Sequence, residues 1–106
     1  MEFIETSIFT RQITQLLGDE EYKDFQLELL RNPQKGSIIP KSGGLRKVRV
    51  GLSGRGKSGG GRVIYCLISE MEHIYLIYVY PKNVLDNLSD AQLKELRQIA
   101  GELDNG

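Results

Sequence analysis

Apolar positions along the chain change period twice, and those changes outline its elements. From Ser7 to Leu17, the residues Ile8, Phe9, Ile13, Leu16 and Leu17 fall at helical spacing, with Ser7 placed as an N-cap. Gly18 ends this helix at a C′ position, and Asp19 caps a second one whose first turn carries Glu20 and Glu21, where the helix dipole favours anions. Tyr22, Phe25 and Leu29 form the buried stripe of that second helix, which stops before Asn32-Pro33 because the residue preceding a proline avoids helical backbone. From Leu45 the period falls to two. Leu45–Val50, Arg62–Ile68 and Ile74–Tyr80 read as strands, with Glu70–His73 as the hairpin turn between the last two and Pro81 as the stop. Helical period returns after Ser89: Ser89-Asp90-Ala91-Gln92 matches a capping box, and Leu93, Leu96, Ile99, Ala100 and Leu103 share the inward face. Phe3–Thr6 is a short extended opening, and Ser37–Ile39 is placed to pair briefly with a neighbour.

Helices followed by a run of strands and a last helix define an α+β fold. We expect two N-terminal helices packed on a small antiparallel β-meander of three or four strands, closed by a C-terminal helix. A length of 106 residues gives one domain, 1–106, with one core. No apolar run approaches the ~20 residues of a membrane span, and the acidic opening MEFIETSIFTRQ lacks the basic region of a signal peptide. A cytoplasmic protein with no membrane contact is the expectation. The single cysteine, Cys66, forms no internal disulfide, which agrees with a reducing compartment, and in its Val/Ile/Tyr setting it reads as a small core residue. One His and one Cys exclude a zinc site, so neither metal nor cofactor is expected, and His73 reads as an exposed turn residue rather than a catalytic base.

The net charge is zero, yet the charges are segregated. Residues 1–28 carry seven acids and two bases, residues 29–69 nine bases and no acid, and residues 70–106 seven acids and three bases. A basic centre between acidic flanks is the footprint of a polyanion-binding surface. Sheet-edge protection also uses lysine and arginine, but it does not need nine bases without one acid.

Two phosphate motifs match on paper within the glycine-rich loop expected over Gly51–Gly61. Gly51–Ser58 fits GxxxxGK[ST], and Gly54–Gly59 fits GxGxxG. Both motifs need a helix to open after the loop, so that its N-terminus faces phosphate. Here Gly59-Gly60-Gly61 and a β-branched run follow instead, and the basic region holds no acid to bind magnesium. Chance in a Gly/Ser/Lys-rich stretch explains the match.

Alternation puts Lys47 and Arg49 on one pleat face and Val48 and Val50 on the other. Arg62 opens the neighbouring strand, and Tyr80 and Lys82 lie at the end of the third. A meander gathers these ends into a cluster of Lys, Arg and Tyr. RNA cleavage requires an activated 2′-OH, stabilisation of charge on the phosphorane and a proton for the leaving 5′-oxygen. Arg49 and Arg62 offer bidentate donors suited to phosphate. Tyr80, or a lysine set among cations, offers the proton-transfer group.

Leu45-Arg46-Lys47-Val48-Arg49, the Gly/Lys/Arg loop, Arg62-Val63-Ile64-Tyr65 and Tyr80-Pro81-Lys82-Asn83 resemble the RelE/ParE superfamily, and within it the HigB-like toxins of bacterial toxin–antitoxin pairs. The resemblance covers nearly the whole chain. It implies a RelE-like α+β fold and a ribosome-dependent, metal-independent endoribonuclease, an mRNA interferase that cuts mRNA in the ribosomal A site by attack of the substrate's own 2′-OH. It also implies a cognate antitoxin, a helix-turn-helix protein of HigA type through which the complex contacts operator DNA. Carried over by position, the catalytic cations are Lys47, Arg49, Arg62 and Lys82; on this reading Arg46, Arg55 and Lys57 are expected to position mRNA and ribosomal RNA phosphates. The C-terminal tyrosine of RelE falls near Leu88, so that role is vacant: either Tyr80 fills it or the proton is handled by a different group. The same fold hosts ParE-type gyrase inhibitors, and a catalytically silent RNA- or antitoxin-binding module is a third reading. The cation cluster favours the nuclease.

Overall fold

Apolar residues at helical spacing fold the N-terminal third into α1 (Ser7–Leu16) and α2 (Asp19–Arg31). Thr6, rather than Ser7, caps α1: its hydroxyl oxygen accepts the Phe9 N–H at 3.0 Å while the hydroxyl itself donates to the Ile77 carbonyl at 2.8 Å. One side chain thus caps a helix and fastens it to the sheet. Gly18 follows the C-cap Leu17 of α1, at C′ as expected, and is also the N-cap of α2 in place of Asp19, which is already the first helical residue. Leu17 is buried and extended, so the chain leaves α1 without a left-handed step, and the Glu21 carboxylate accepts the Gly18 N–H at 2.9 Å.

The computed structural model describes residues 1–52, 56–68, 70, 72–82 and 88–105, and the side chains of these outside 52–59 and 100–105. Its five strands are β1 (Glu2–Glu5), β2 (Ser37–Ile38), β3 (Leu45–Leu52), β4 (Gly56–Ile68) and β5 (His73–Pro81), in the order β1-β5-β4-β3-β2. The antiparallel meander is present from β2 to β5. The opening segment changes it: β1 joins β5 in parallel, from Glu2↔His73 to Glu5↔Leu76, so the sheet is mixed. Burial drives this addition, because Phe3 packs into the core on one face and Ile4 into the core on the other.

Strand β4 begins at Gly56, so most of the expected glycine loop is strand, paired from Val50↔Gly61 out to Leu52↔Gly56. Ladder hydrogen bonds use backbone groups alone, and those pairings override the low strand preference of glycine. The Lys57-Ser58 step therefore lies in a strand and not at a helix N-terminus, which removes the structural basis of both phosphate motifs.

Both faces of the sheet are buried. On one, Phe9, Ile13, Leu17, Phe25 and Leu29 of the N-terminal layer cover Val48, Val50, Val63, Tyr65, Ile74, Leu76 and Val79. On the other, Leu96 of α3 (Asp90–Asn105) covers Leu45, Ile64, Cys66, Tyr75, Ile77 and Tyr80. A register shift explains why Ile77 and Tyr78 both serve that second face: Ile64 pairs with Tyr78 and Tyr65 with Leu76, leaving Ile77 as the extra residue of a bulge. The capping box of α3 forms as its sequence implies, with Ser89 N–H to Gln92 Oε1 at 2.9 Å and Gln92 N–H to Ser89 Oγ at 3.2 Å. Arg97 ties α3 to the β2–β3 connection by donating to the Lys41 carbonyl at 2.6 Å.

Candidate functional site

Arg49, Arg62 and Tyr80 stand side by side across β3, β4 and β5, as direct register partners. Direct partners in antiparallel strands project to the same face, with strands about 4.8 Å apart. The next row on that face holds Lys47, Ile64 and Tyr78, and the one beyond it Leu45, Cys66 and Tyr75. Along a single face the chemistry therefore changes from apolar, where α3 packs, to cationic at the end away from the Leu45 row. Arg49 is exposed, while Lys47 and Arg62 are half-buried. Arg62 Nη1 donates to the Gly61 carbonyl at 3.0 Å, which restrains the guanidinium. Lys82 is exposed just past Pro81, its backbone N–H donating to the Gly60 carbonyl at 3.0 Å, and this places it at the same end of the sheet.

The expected catalytic set is thus gathered in space, with one qualification of burial. Tyr80 is 3% exposed, belongs to the α3-side core and lies with its ring 6.0 Å from that of Tyr78. Its hydroxyl is enclosed rather than presented to solvent.

Arg46 is not part of the cluster. Its register partner Tyr65 belongs to the core under α1 and α2, so Arg46 projects to the face opposite Lys47 and Arg49. There Nη1 donates to the Gly36 carbonyl at 2.7 Å and the Gln34 carbonyl at 3.3 Å, bracing the turn after α2. Arg55, the Lys57 side chain and Asn83 lie outside the described residues.

The turn that Arg46 braces supports the site from behind. Tyr65 is fully buried; its hydroxyl donates to the Pro33 carbonyl at 2.8 Å and accepts the Gly36 N–H at 2.9 Å. Burial pushes the Tyr65 phenol above its ordinary value. A Cβ on Gly36 would lie 2.8 Å from the Tyr65 ring and 2.9 Å from the Lys47 carbonyl, so only glycine lets this turn close against β3 directly behind Lys47. No local pattern announces these supports, because Gly36 and Tyr65 are 29 residues apart.

His73 differs from its expected exposed turn position. It is the half-buried first residue of β5, with Nε2 3.2 Å from Glu2 Oε2 and Nδ1 3.4 Å from the Tyr75 hydroxyl, at the opposite end of the strand from Tyr80. Among the described residues no three His, Cys, Asp or Glu side chains gather in a metal-binding group, and no helix is long and apolar enough to cross a membrane. What the cationic row can do is hold phosphate and stabilise negative charge that develops on it.

Residues 7–105 match the family described as the RelE toxin of the RelE/RelB toxin–antitoxin system. The chain belongs to the RelE toxin family. Its fold is also that of E. coli RelE: the isolated toxin is 18% identical with a TM-score of 0.57, over 92% of this chain and 96% of that one. A free-state E. coli RelE carrying a double arginine-to-alanine change is 15% identical with a TM-score of 0.56, over 79% of this chain and 85% of that one. As a RelE-family member the protein is the toxin half of a toxin–antitoxin pair, of the mRNA-interferase kind, with an antitoxin as partner and the ribosome as its place of action.

Proposed function

We propose that this RelE-family toxin cuts mRNA in the ribosomal A site without a metal, using the substrate's own 2′-hydroxyl as nucleophile. The 2′-hydroxyl gives up its proton to solvent, its oxygen forms a bond to phosphorus and the bond to the 5′-oxygen breaks, leaving a 2′,3′-cyclic phosphate and, once that oxygen is protonated, a 5′-hydroxyl. Charge accumulates on the non-bridging oxygens in between, and the row of Arg49 and Arg62, one strand spacing apart, is the observation that carries this reading. Lys47 and Lys82 flank the row and hold the neighbouring phosphates. Tyr80 is assigned the proton for the departing 5′-oxygen. Its enclosed hydroxyl makes Tyr80→Phe the decisive variant: lost cleavage with retained binding supports the assignment, and unchanged cleavage reduces Tyr80 to the packed floor beside Arg62.

Arg55 and Lys57 add phosphate contacts along the mRNA and ribosomal RNA. On this reading the toxin is of the HigB-like type and cytoplasmic. Its antitoxin is a helix-turn-helix protein of HigA type through which the pair reaches operator DNA.

Primer extension on a defined mRNA, with and without ribosomes, tests the proposal. The wild type is expected to cut only translated message. Arg62→Ala is expected to lose cleavage by about 100-fold or more, the scale of removing one preorganised charge-stabilising donor, while its thermal unfolding stays close to wild type. Cleavage by folded Arg62→Ala at the wild-type rate would overturn the site assignment. If the wild type cuts nothing and inhibits gyrase supercoiling, the protein acts as a ParE-type toxin.

A further inference from the structure

The parallel strand β1 leaves β5 after Glu5↔Leu76, so among the described residues no strand lies beside the far half of that sheet edge. An open edge invites another strand, but this one is closed by other means. The Thr6 hydroxyl donates to the Ile77 carbonyl at 2.8 Å, Gln12 Oε1 accepts the Val79 N–H at 3.1 Å, and Pro81 has no N–H to offer. A cleft of about 460 Å³ remains between α1, this edge and α3. That volume is within the range of about 300–1,000 Å³ typical of small-molecule pockets. Leu16, Tyr78 and Pro81 give it apolar walls, and Gln15 and Gln92 add amide groups. Among the described residues no charged side chain lines it.

We propose that this cleft is a nucleobase pocket that takes one base of the RNA whose phosphates lie on the Arg49–Arg62 row. The inference rests on the proposed nuclease function and names the part of the substrate the cations cannot read. Bases of single-stranded RNA are recognised by stacking on an aromatic ring and by hydrogen bonds to their edges. Tyr78 is half-buried at the cleft wall and supplies the ring. Glutamine amides pair a donor with an acceptor, as base edges do. Gln92 is held in orientation by the Ser89 N–H at 2.9 Å, and Gln15 lies on the exposed face of α1. Position supports the same occupant. Tyr80 lines the cleft and is also the register partner of Arg62, so the pocket begins one strand spacing, about 4.8 Å, from the cationic row. A phosphate on the arginines and its base in the cleft fit one nucleotide. A neutral lining next to a cationic row suits an uncharged base attached to a charged backbone.

The test is binding of adenosine, guanosine, cytidine and uridine 5′-monophosphates to the full chain, followed by amide resonances, with ribose 5-phosphate as the baseless control. We expect the nucleotides to move signals at Gln15, Tyr78 and Gln92 with affinities that differ among the four bases. Ribose 5-phosphate should move only signals around Lys47, Arg49 and Arg62. Gln15→Ala, a surface change that leaves the fold in place, should weaken the tightest nucleotide by about 2- to 10-fold, as expected of one hydrogen bond. Tyr78→Leu should weaken it by about tenfold and Tyr78→Phe should retain it, because the ring face does the stacking. Identical shifts from nucleotides and ribose 5-phosphate, still signals at the cleft, or unaltered affinity in Gln15→Ala would each overturn the pocket. This binding is read without ribosomes, so failure of the wild type to cut mRNA would sink the nuclease reading separately. On translating ribosomes, Gln15→Ala should change the ratio among cut codons. A uniform fall in all cuts would count against the pocket.

Discussion

The two faces of the sheet are made from the same strands and put to different use. Under α1 and α2 the face is apolar across β3, β4 and β5 apart from Arg46, from Val48 and Val50 through Val63 and Tyr65 to Ile74 and Val79. Under α3 it is apolar at the Leu45–Cys66–Tyr75 row, mixed at Lys47–Ile64–Tyr78 and cationic at Arg49–Arg62. Two helices close the first face, whereas one helix covers the second; among the described residues its buried contact there is Leu96, the side chains of Ala100 and Leu103 lying outside them. Both faces hold a core, but on the proposed function the phosphate-binding cations all stand on the second, so substitutions of those cations and of the first face's core should fail in different assays.

The largest effect is expected on the closed face. Leu29 is fully buried among Phe9, Phe25 and the strands, so Leu29→Ala should cost about 2–5 kcal/mol through lost transfer energy and the cavity left behind. Urea denaturation measures this. Cleavage per folded molecule should equal wild type, because no reacting group touches that face. A variant that stays stable yet loses cleavage would break the division between the faces.

This division was partly legible in the sequence. Period-two alternation fixes Lys47 and Arg49 against Val48 and Val50, whatever the tertiary fold, and the structure places them so. The same parity puts Arg46 with Val48, but grouping residues by charge hides that, and Arg46 faces away from the cluster. Strand β1 was not legible as part of the sheet, since four residues carry too little pattern and their parallel partner lies about 70 positions away. The burial of Tyr80 turns on α3 packing over an otherwise polar-looking face. The extension of β4 back to Gly56 is hidden for a simpler reason: strand periodicity is carried by side chains, and glycine has none.

A middle-sized effect should come from the support behind the site. Tyr65→Phe leaves the buried Gly36 N–H without its acceptor, which should cost about 1–3 kcal/mol. The pH dependence has a definite sign. Burial raises the Tyr65 phenol above its ordinary value of 10.0, so the neutral form is favoured in the folded state. Its contribution is whole below that value and is lost as pH rises through the folded value. The stability gap between wild type and Tyr65→Phe should therefore be constant near neutrality and narrow above about pH 10. A gap that widens there would mean that the hydroxyl is ionised in the fold. Because the turn it holds meets only the backbone of Lys47, cleavage per folded molecule should stay close to wild type, as for the rest of that face.

The smallest effect gives the sharpest comparison, because it sets two arginines three residues apart against each other. Arg49 projects to the open face and is exposed, whereas Arg46 projects to the closed one and gives its guanidinium to the Gly36 and Gln34 carbonyls. Arg49→Ala should leave stability within about 0.5 kcal/mol, as surface changes do. It should also reduce the slope of log affinity for ribosomes against log salt by about 1, the signature of one lost phosphate contact. Arg46→Ala should do the reverse, lowering stability by about 1 kcal/mol through two lost hydrogen bonds while the salt slope stays unchanged. Both variants lose the same formal charge, so a general field effect would lower both slopes alike. Equal slopes for the two would show that the polyanion reads the net charge of the basic segment and not the face on which each charge stands.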